Sequence, residues 1–156
     1  MLSLLFARLT YLEATVMESL RIGAVSGPMH IALENAELHG YKIPKGTTVT
    51  FNIREIMRSP DHWAEPESFK PERFLDPNDG SIVIPPKAYM PFGAGKGVCI
   101  GETLAKTQLF LFLGNICQNF EIRWPDGQPE PDLSNVAGFP AAFPPQHKLE
   151  FRRRVN

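Results

Sequence analysis

The chain has 156 residues, the length of one ordinary domain, and its hydrophobic fraction of 43% is sufficient for a core. Its 16 basic and 17 acidic residues leave a net charge of −1, which gives no reason to expect a nucleic-acid or other polyanionic partner. The 15 prolines and 12 glycines predict many turns and few long regular elements. Two cysteines do not make a disulfide framework, and no apolar run is long enough to span a bilayer.

The first predicted element is a helix over residues 5–22. Leucine and valine recur there at the three- to four-residue spacing of one helix face. Glu18 and Arg21 are three residues apart and are therefore neighbours on this helix. Such a pair alone is usually a solvated ion pair that contributes little to stability.

The next segment, from about residue 30 to residue 52, is predicted to be a small antiparallel sheet. Residues 40–46 have the chemistry of a turn, because a proline presets φ and a glycine follows it. Residues 47–51 are rich in β-branched side chains, as expected for a strand. A short helix is predicted near residues 53–57, and residues 59–89 then form a proline-punctuated segment with little regular structure.

A glycine-rich loop from residue 90 to residue 101 presents Cys99 just before a strongly apolar segment. Glycines have no Cβ, so a flat group can approach the backbone of this loop closely. The unpaired N–H groups and the positive dipole end at a helix start favour an anion. We therefore expect Cys99 to be biased toward the thiolate, the form that binds metal.

Three other interpretations of this loop compete with a metal ligand. A dinucleotide-binding fingerprint would need its third glycine where Val98 stands. A phosphate-binding loop would need serine or threonine after Lys96, where the chain has Gly97. A structural thiol stays open, since a free cysteine is often just a small buried hydrophobe.

Residues 102–119 are predicted to form one helix that is apolar on nearly every face. Such a helix needs partners on all sides, so we expect this chain to be a piece of something larger. Along that helix Cys117 would lie about 27 Å from Cys99, whereas a disulfide needs Cα atoms within roughly 7 Å. Residues 124–127 are predicted to turn, and residues 148–152 alternate as in a half-buried strand.

The pattern Phe92-Gly93-x-Gly95-x-x-x-Cys99-x-Gly101 closely resembles the haem-binding loop of the cytochrome P-450 family, the haem-thiolate monooxygenases. The resemblance implies that Cys99 is the axial ligand of the haem iron. It also implies that the cofactor is haem b (iron protoporphyrin IX). The other residues that it places at the haem are Phe92, Gly93, Gly95, Val98, Gly101 and His30.

The first helix resembles a second feature of the same family. The run from Tyr11 to Arg21 is similar to the family's Glu-x-x-Arg helix, whose two charges meet an arginine from a later loop. By resemblance that arginine is Arg73, in the run from Phe69 to Phe74. The resemblance thus implies a buried charge network of Glu18, Arg21 and Arg73.

Further matches concern the haem propionates and the substrate. His30 matches a basic residue that commonly binds a propionate in the family, whereas Gly97 stands where another basic residue usually reaches one. The resemblance also implies substrate contacts after the first helix and at the tip of a C-terminal hairpin. The candidate residues are Val25, Ser26, Gly27, Gly138 and Phe139.

The resemblance runs from about Tyr11 to Arg152 and covers only the C-terminal part of a usual family member, with residues 1–8 unmatched. It implies that residues 1–156 are a partial cytochrome P-450 domain, mainly α with small β-sheets (α+β). The expected parts are the Glu-x-x-Arg helix, a small sheet, a meander, the cysteine loop, a proximal helix and a C-terminal β-hairpin.

The implied function is the haem-binding proximal part of a monooxygenase that activates molecular oxygen and hydroxylates a small apolar substrate. An NADPH-dependent reductase is the expected electron donor, and no nucleic acid is expected as a partner. The detailed sequence is most similar to those of microsomal animal enzymes, so the full-length relative is expected at the endoplasmic reticulum membrane. Membrane contact would come only through a missing N-terminal region, since this chain shows no anchor. The alternative is a truncated, catalytically inactive fragment that lacks the distal oxygen-activating helix.

Overall fold

The computed structural model describes residues 9–24, 27, 29–129 and 146–155. The helices of these residues are α1 (Thr10–Ile22), α2 (Ile53–Ile56) and α3 (Glu102–Asn119). The strands are β1 (Met29–Ile31), β2 (Ala36–Leu38), β3 (Tyr41–Ile43), β4 (Thr48–Thr50), β5 (Phe120–Arg123) and β6 (Glu150–Arg153). Single 3-10 turns are formed by Pro71–Phe74 and Gly95–Gly97. The described residues thus form a few helices and small antiparallel sheets, and the predicted α+β fold class is confirmed.

The strands form three antiparallel pairs, β1 with β4, β2 with β3, and β5 with β6. The turn predicted over residues 40–46 is confirmed only in its second half: the Thr47 N–H donates to the carbonyl oxygen of Pro44 at 3.1 Å, and Gly46 has a φ of 85°, whereas strand β3 occupies the first half. The chain also reverses between β2 and β3, at His39 and Gly40, whose φ angles are 48° and 83°. Two consecutive residues with positive φ are typical of the two-residue turns that match the twist of a hairpin.

The helix α1 begins at Thr10 and not at the predicted residue 5. Leu9 precedes it with φ −126° and ψ 53°, outside the helical range, and residues 5–8 lie outside the described part of the chain. Helix α3 has the predicted bounds of 102 and 119. The two helices pack closely, since a Cβ on Gly114 would lie 3.0 Å from Cδ2 of Leu12.

The core consists of two small clusters beside α1. One contains Ala14, Trp63, Phe74 and Ala88, and the other contains Ala24, Ile53 and Met57. Tyr89 packs against both clusters, and its hydroxyl donates a hydrogen bond to the carbonyl oxygen of Met17 at 3.2 Å. These contacts attach the proline-punctuated segment and the start of the cysteine loop to α1.

Helix α3 contributes little to this core, because Phe110 is its single fully buried side chain among the described residues. Leu104 and Phe112 are 63% and 66% exposed. None of the described helices combines the length and the hydropathy needed to cross a membrane. The predicted strand near residues 148–152 is β6, and it pairs with β5, which the sequence analysis did not predict.

Candidate functional site

A cleft of about 850 Å³ lies between the end of α1, the segment from β4 to α2, and the cysteine loop. Its walls are largely apolar, with Leu20, Ala24, Phe51, Ile53, Met90 and Pro91 among the lining residues. Among the described residues that line it, His30 and Cys99 are those that carry an ionisable side chain. A flat apolar molecule that carries a metal for the Cys99 sulfur and an anionic group for His30 would match this lining.

Backbone hydrogen bonds fold the cysteine loop back on itself. The Cys99 N–H donates to the carbonyl oxygen of Phe92 at 2.9 Å, and the Gly93 N–H donates to Met90 at 3.0 Å. Gly93 and Gly95 have φ angles of 80° and 71°, in the left-handed region that a side chain disfavours. These two glycines therefore allow the tight path that brings residue 92 and residue 99 together.

The remaining loop residues follow at the start of α3. Val98 and Cys99 are exposed, and a Cβ on Gly101 would lie 3.7 Å from the Cys99 sulfur. The Ala105 N–H donates to the carbonyl oxygen of Gly101 at 2.9 Å, which begins the helix directly after the loop. Cys99 is accordingly presented on a short segment that is anchored at both ends.

The structure brings His30 and Gly97 together. His30 lies on β1 and packs edge to face against Phe51, with ring centroids 5.7 Å apart. A Cβ on Gly97 would lie 3.6 Å from Cε1 of His30, an ordinary contact. Unlike Gly93 and Gly95, Gly97 does not have a positive φ.

Of the five proposed substrate-contact residues, Gly27 alone lies in the described part of the chain. It lines the cleft, and its N–H donates to the carbonyl oxygen of Phe51 at 3.1 Å. A Cβ there would lie 2.8 Å from that oxygen, so the two backbone segments can approach this closely only at a glycine. Val25, Ser26, Gly138 and Phe139 lie outside the described residues.

The charged residues Glu18, Arg21 and Arg73 meet outside the cleft. Glu18 accepts hydrogen bonds from Nε and Nη2 of Arg21 at 2.7 and 2.9 Å, and from Nε of Arg73 at 3.1 Å. The Lys70 N–H also donates to it at 2.9 Å. Glu18 and Arg21 are completely buried. Burial alone would raise the pKa of Glu18, but the hydrogen bonds and charges of its partners hold that pKa below its usual value.

The arginines extend this network to the backbone. Nη1 of Arg21 donates to the carbonyl oxygen of Met57 at 2.9 Å, and Nη1 of Arg73 donates to that of Ala64 at 2.8 Å. The Arg21 guanidinium lies 5.3 Å from the Trp63 ring. The network thus fixes the irregular segment after α2 onto α1, which is a structural role.

The model of the Cytochrome P450 family matches residues 5–149, nearly the whole chain. The chain belongs to the cytochrome P450 family. The family predicted from the sequence is confirmed.

The cytochrome P450 relatives of this chain are much longer than it is. A steroid 17-alpha-hydroxylase/17,20 lyase of Ictalurus punctatus is 47% identical over 151 residues, which are 95% of this chain and 29% of that relative. The protein of the same name from Gallus gallus is 44% identical over 132 residues, 83% of this chain and 26% of the relative. A farnesoate epoxidase of Bombyx mori is 44% identical over 133 residues, 84% of this chain and 26% of the relative. This chain therefore spans less than a third of their length.

The sequence analysis of this cytochrome P450 chain missed several residues of the cleft wall. Phe51, Ile53 and Met90 line the cleft, yet they belong to the end of a strand, a short helix and a loop. Their apolar character indicated burial and nothing more specific. Only the packing of the strand pair β1–β4 beside the cysteine loop gives them one common surface.

Proposed function

We propose that this chain is the haem-binding part of a cytochrome P450 monooxygenase, with Cys99 as the axial thiolate ligand of the iron. The observation that carries the proposal is the composition of the cleft. The ionisable side chains among its described lining residues are a cysteine on a glycine-rich loop and a histidine, and the walls around them are apolar. Within the described residues, no cluster of three or more His, Cys, Asp or Glu side chains could hold a metal ion.

The residues present fit haem b. The porphyrin is a flat apolar ring, and apolar walls with a backbone free of Cβ atoms at Gly93 and Gly97 leave room for it beside Cys99. His30 lies at the same cleft and is a suitable partner for a propionate. Phe92 also lines the cleft, two residues after Met90, where its ring would pack against the porphyrin.

Haem with a thiolate ligand supplies oxygen activation, since the thiolate donates electron density that favours O–O cleavage. The protein contributes the position and the surroundings of that ligand. The hydrogen bond from the Cys99 N–H to Phe92 fixes the backbone that carries the sulfur. The apolar walls would shield a bound haem from water, and His30 would hold a propionate.

For the whole protein we propose oxidation of a small apolar organic substrate with molecular oxygen and with electrons from an NADPH-dependent reductase. Relatives named for steroid hydroxylation and for farnesoate epoxidation support a substrate of this class. We also propose the endoplasmic reticulum membrane as the location of the full-length protein. Residues 1–156 would form part of its catalytic domain.

The proposal is tested by adding haem to the expressed chain, reducing it under carbon monoxide and recording the absorption spectrum. A strongly red-shifted Soret band is expected, because it reports a thiolate on the iron. Cys99→Ala should abolish the band, whereas Cys117→Ala is the matched control at the second free, exposed cysteine. A band of unshifted position in the wild-type chain, or loss of the band in the Cys117 variant alone, would contradict the ligand assignment.

A further inference from the structure

Lys106 lies where α1, the cysteine loop and α3 meet. Its Nζ is 5.7 Å from the centroid of the Phe92 ring. The same nitrogen donates a hydrogen bond to Oε1 of Glu102 at 2.6 Å, one helical turn earlier on α3. Lys106 also faces Glu13 of α1: burial raises the pKa of that carboxyl, and the lysine charge acts in the opposite direction.

A surface pair such as Lys106 and Glu102 would by itself be worth little. The Phe92 ring adds a second attraction, because a cation over an aromatic face is drawn to the ring. The Lys106 side chain is only 41% exposed, and Glu102 holds it over Phe92. The ring is thereby restrained from the side of α3.

Phe92 connects this contact to the candidate ligand. Its carbonyl oxygen accepts the hydrogen bond from the Cys99 N–H at 2.9 Å, which links the backbone of residue 92 directly to that of residue 99. The loop between them contains Gly93, Gly95 and Gly97, which provide little stiffness of their own. The position of Cys99 therefore depends on what holds Phe92.

We propose that Lys106 is a positioning residue, which acts through the Phe92 ring to hold the Cys99 loop in the arrangement that presents the sulfur to the cleft. This inference rests on the proposed function of Cys99 as the haem ligand. Glu102 has a part in this positioning, since its hydrogen bond fixes the ammonium group of Lys106 above the ring. The contacts of Glu102, Lys106 and Phe92 join the first helical turns of α3 to the loop that precedes them.

The test uses amide hydrogen exchange of Cys99 in the haem-free chain, which is independent of cofactor binding. Lys106→Met keeps the length of the side chain and removes its charge, and it should speed exchange of the Cys99 amide about two- to fivefold, the range of an exposed cation–π contact. Lys106→Arg should restore the wild-type rate. Lys87→Met, at an exposed lysine that precedes the loop, is the control and should leave the rate unchanged.

A second variant separates the contact from general destabilisation. In a chain that already carries Phe92→Leu, the ring is absent and Lys106→Met should have no further effect on Cys99 exchange. Equal acceleration by Lys106→Met with and without the ring, or no acceleration in either, would overturn the positioning role. In the haem-loaded chain, Lys106→Met should also speed haem loss, with rescue by Lys106→Arg. A wild-type chain that fails to bind haem would contradict the proposed function, while the exchange result would still decide the role of Lys106.

Discussion

Glu18 is a fully buried carboxylate that accepts hydrogen bonds from two arginines and one backbone amide. Glu18→Gln keeps the shape of the side chain but leaves Arg21 without its counter-charge in a buried site. Removing one partner of a buried ion pair costs about 3–5 kcal/mol. We expect a loss of this size in the free energy of unfolding, measured with urea. Glu150→Gln, which breaks the exposed pair with Arg152, should cost about 1 kcal/mol at most.

The same network predicts how the stability depends on pH. The pKa of Glu18 in the folded state lies below its usual value. At a pH above the usual value, the ionised carboxyl contributes its full stabilisation of the fold. This stabilisation is lost as the pH falls through the lower pKa of the folded state. The difference in unfolding free energy between wild type and Glu18→Gln should therefore shrink on acidification and stay constant near neutral pH. A difference that grows on acidification would mean that the buried carboxyl is protonated in the folded state.

Gly97 is the residue whose replacement most directly tests the propionate side of the cleft. A Cβ there makes an ordinary contact of 3.6 Å with His30, and its backbone is not left-handed, so a side chain is tolerated. Gly97→Arg adds a fixed positive charge beside His30 and should slow haem loss about tenfold, in line with a hydrogen bond to a charged group. Gly97→Met supplies similar bulk without charge. Equal slowing by both variants would assign the effect to packing alone.

Helix α3 offers two phenylalanines of opposite environment within one turn. Phe110 is 2% exposed and Phe112 is 66% exposed. Phe110→Ala should lower the free energy of unfolding by about 3–5 kcal/mol, because it leaves a cavity at a buried position. Phe112→Ala should change it by about 0.5 kcal/mol or less. Urea titrations of the two variants give both values, and similar losses would show that Phe112 is covered in solution.

At the scale of helices and strands, the sequence predicted correctly those elements whose bounds depend on neighbouring residues. It failed for elements that depend on distant ones. The bounds of α3 are set by the glycine before it and by its own long apolar run, and both are visible in the sequence. One turn was predicted where the structure has two, because the proline and glycine that mark the later turn gave a stronger signal than His39 and Gly40. Strand β5 was missed because its four residues are extended through pairing with β6, nearly thirty residues later.

The cleft is a property of the whole molecule, because its walls come from α1, β1, the end of β4, α2 and the cysteine loop. Resemblance to a family indicated Cys99 and His30 as members of one site, but nothing in the spacing of residues 30 and 99 specifies that they face the same space. The charge network around Glu18 and the two clusters beside α1 fix these elements to each other. The site thus depends on packing that no local pattern encodes.

This dependence predicts that haem binding stabilises the elements of the cleft together. A ligand that binds only the folded state adds about 2.7 kcal/mol at one hundred times its dissociation constant. Haem should therefore raise the urea midpoint of the wild-type chain, and it should slow amide exchange most in α1 and the cysteine loop. The pair β5–β6 lines no described part of the cleft and serves as the internal control. Cys99→Ala should retain only a fraction of the rise, because the apolar walls still bind the porphyrin without the iron ligand. Slowing confined to β5–β6, or an equal rise in the Cys99 variant, would show that haem is held elsewhere on the chain.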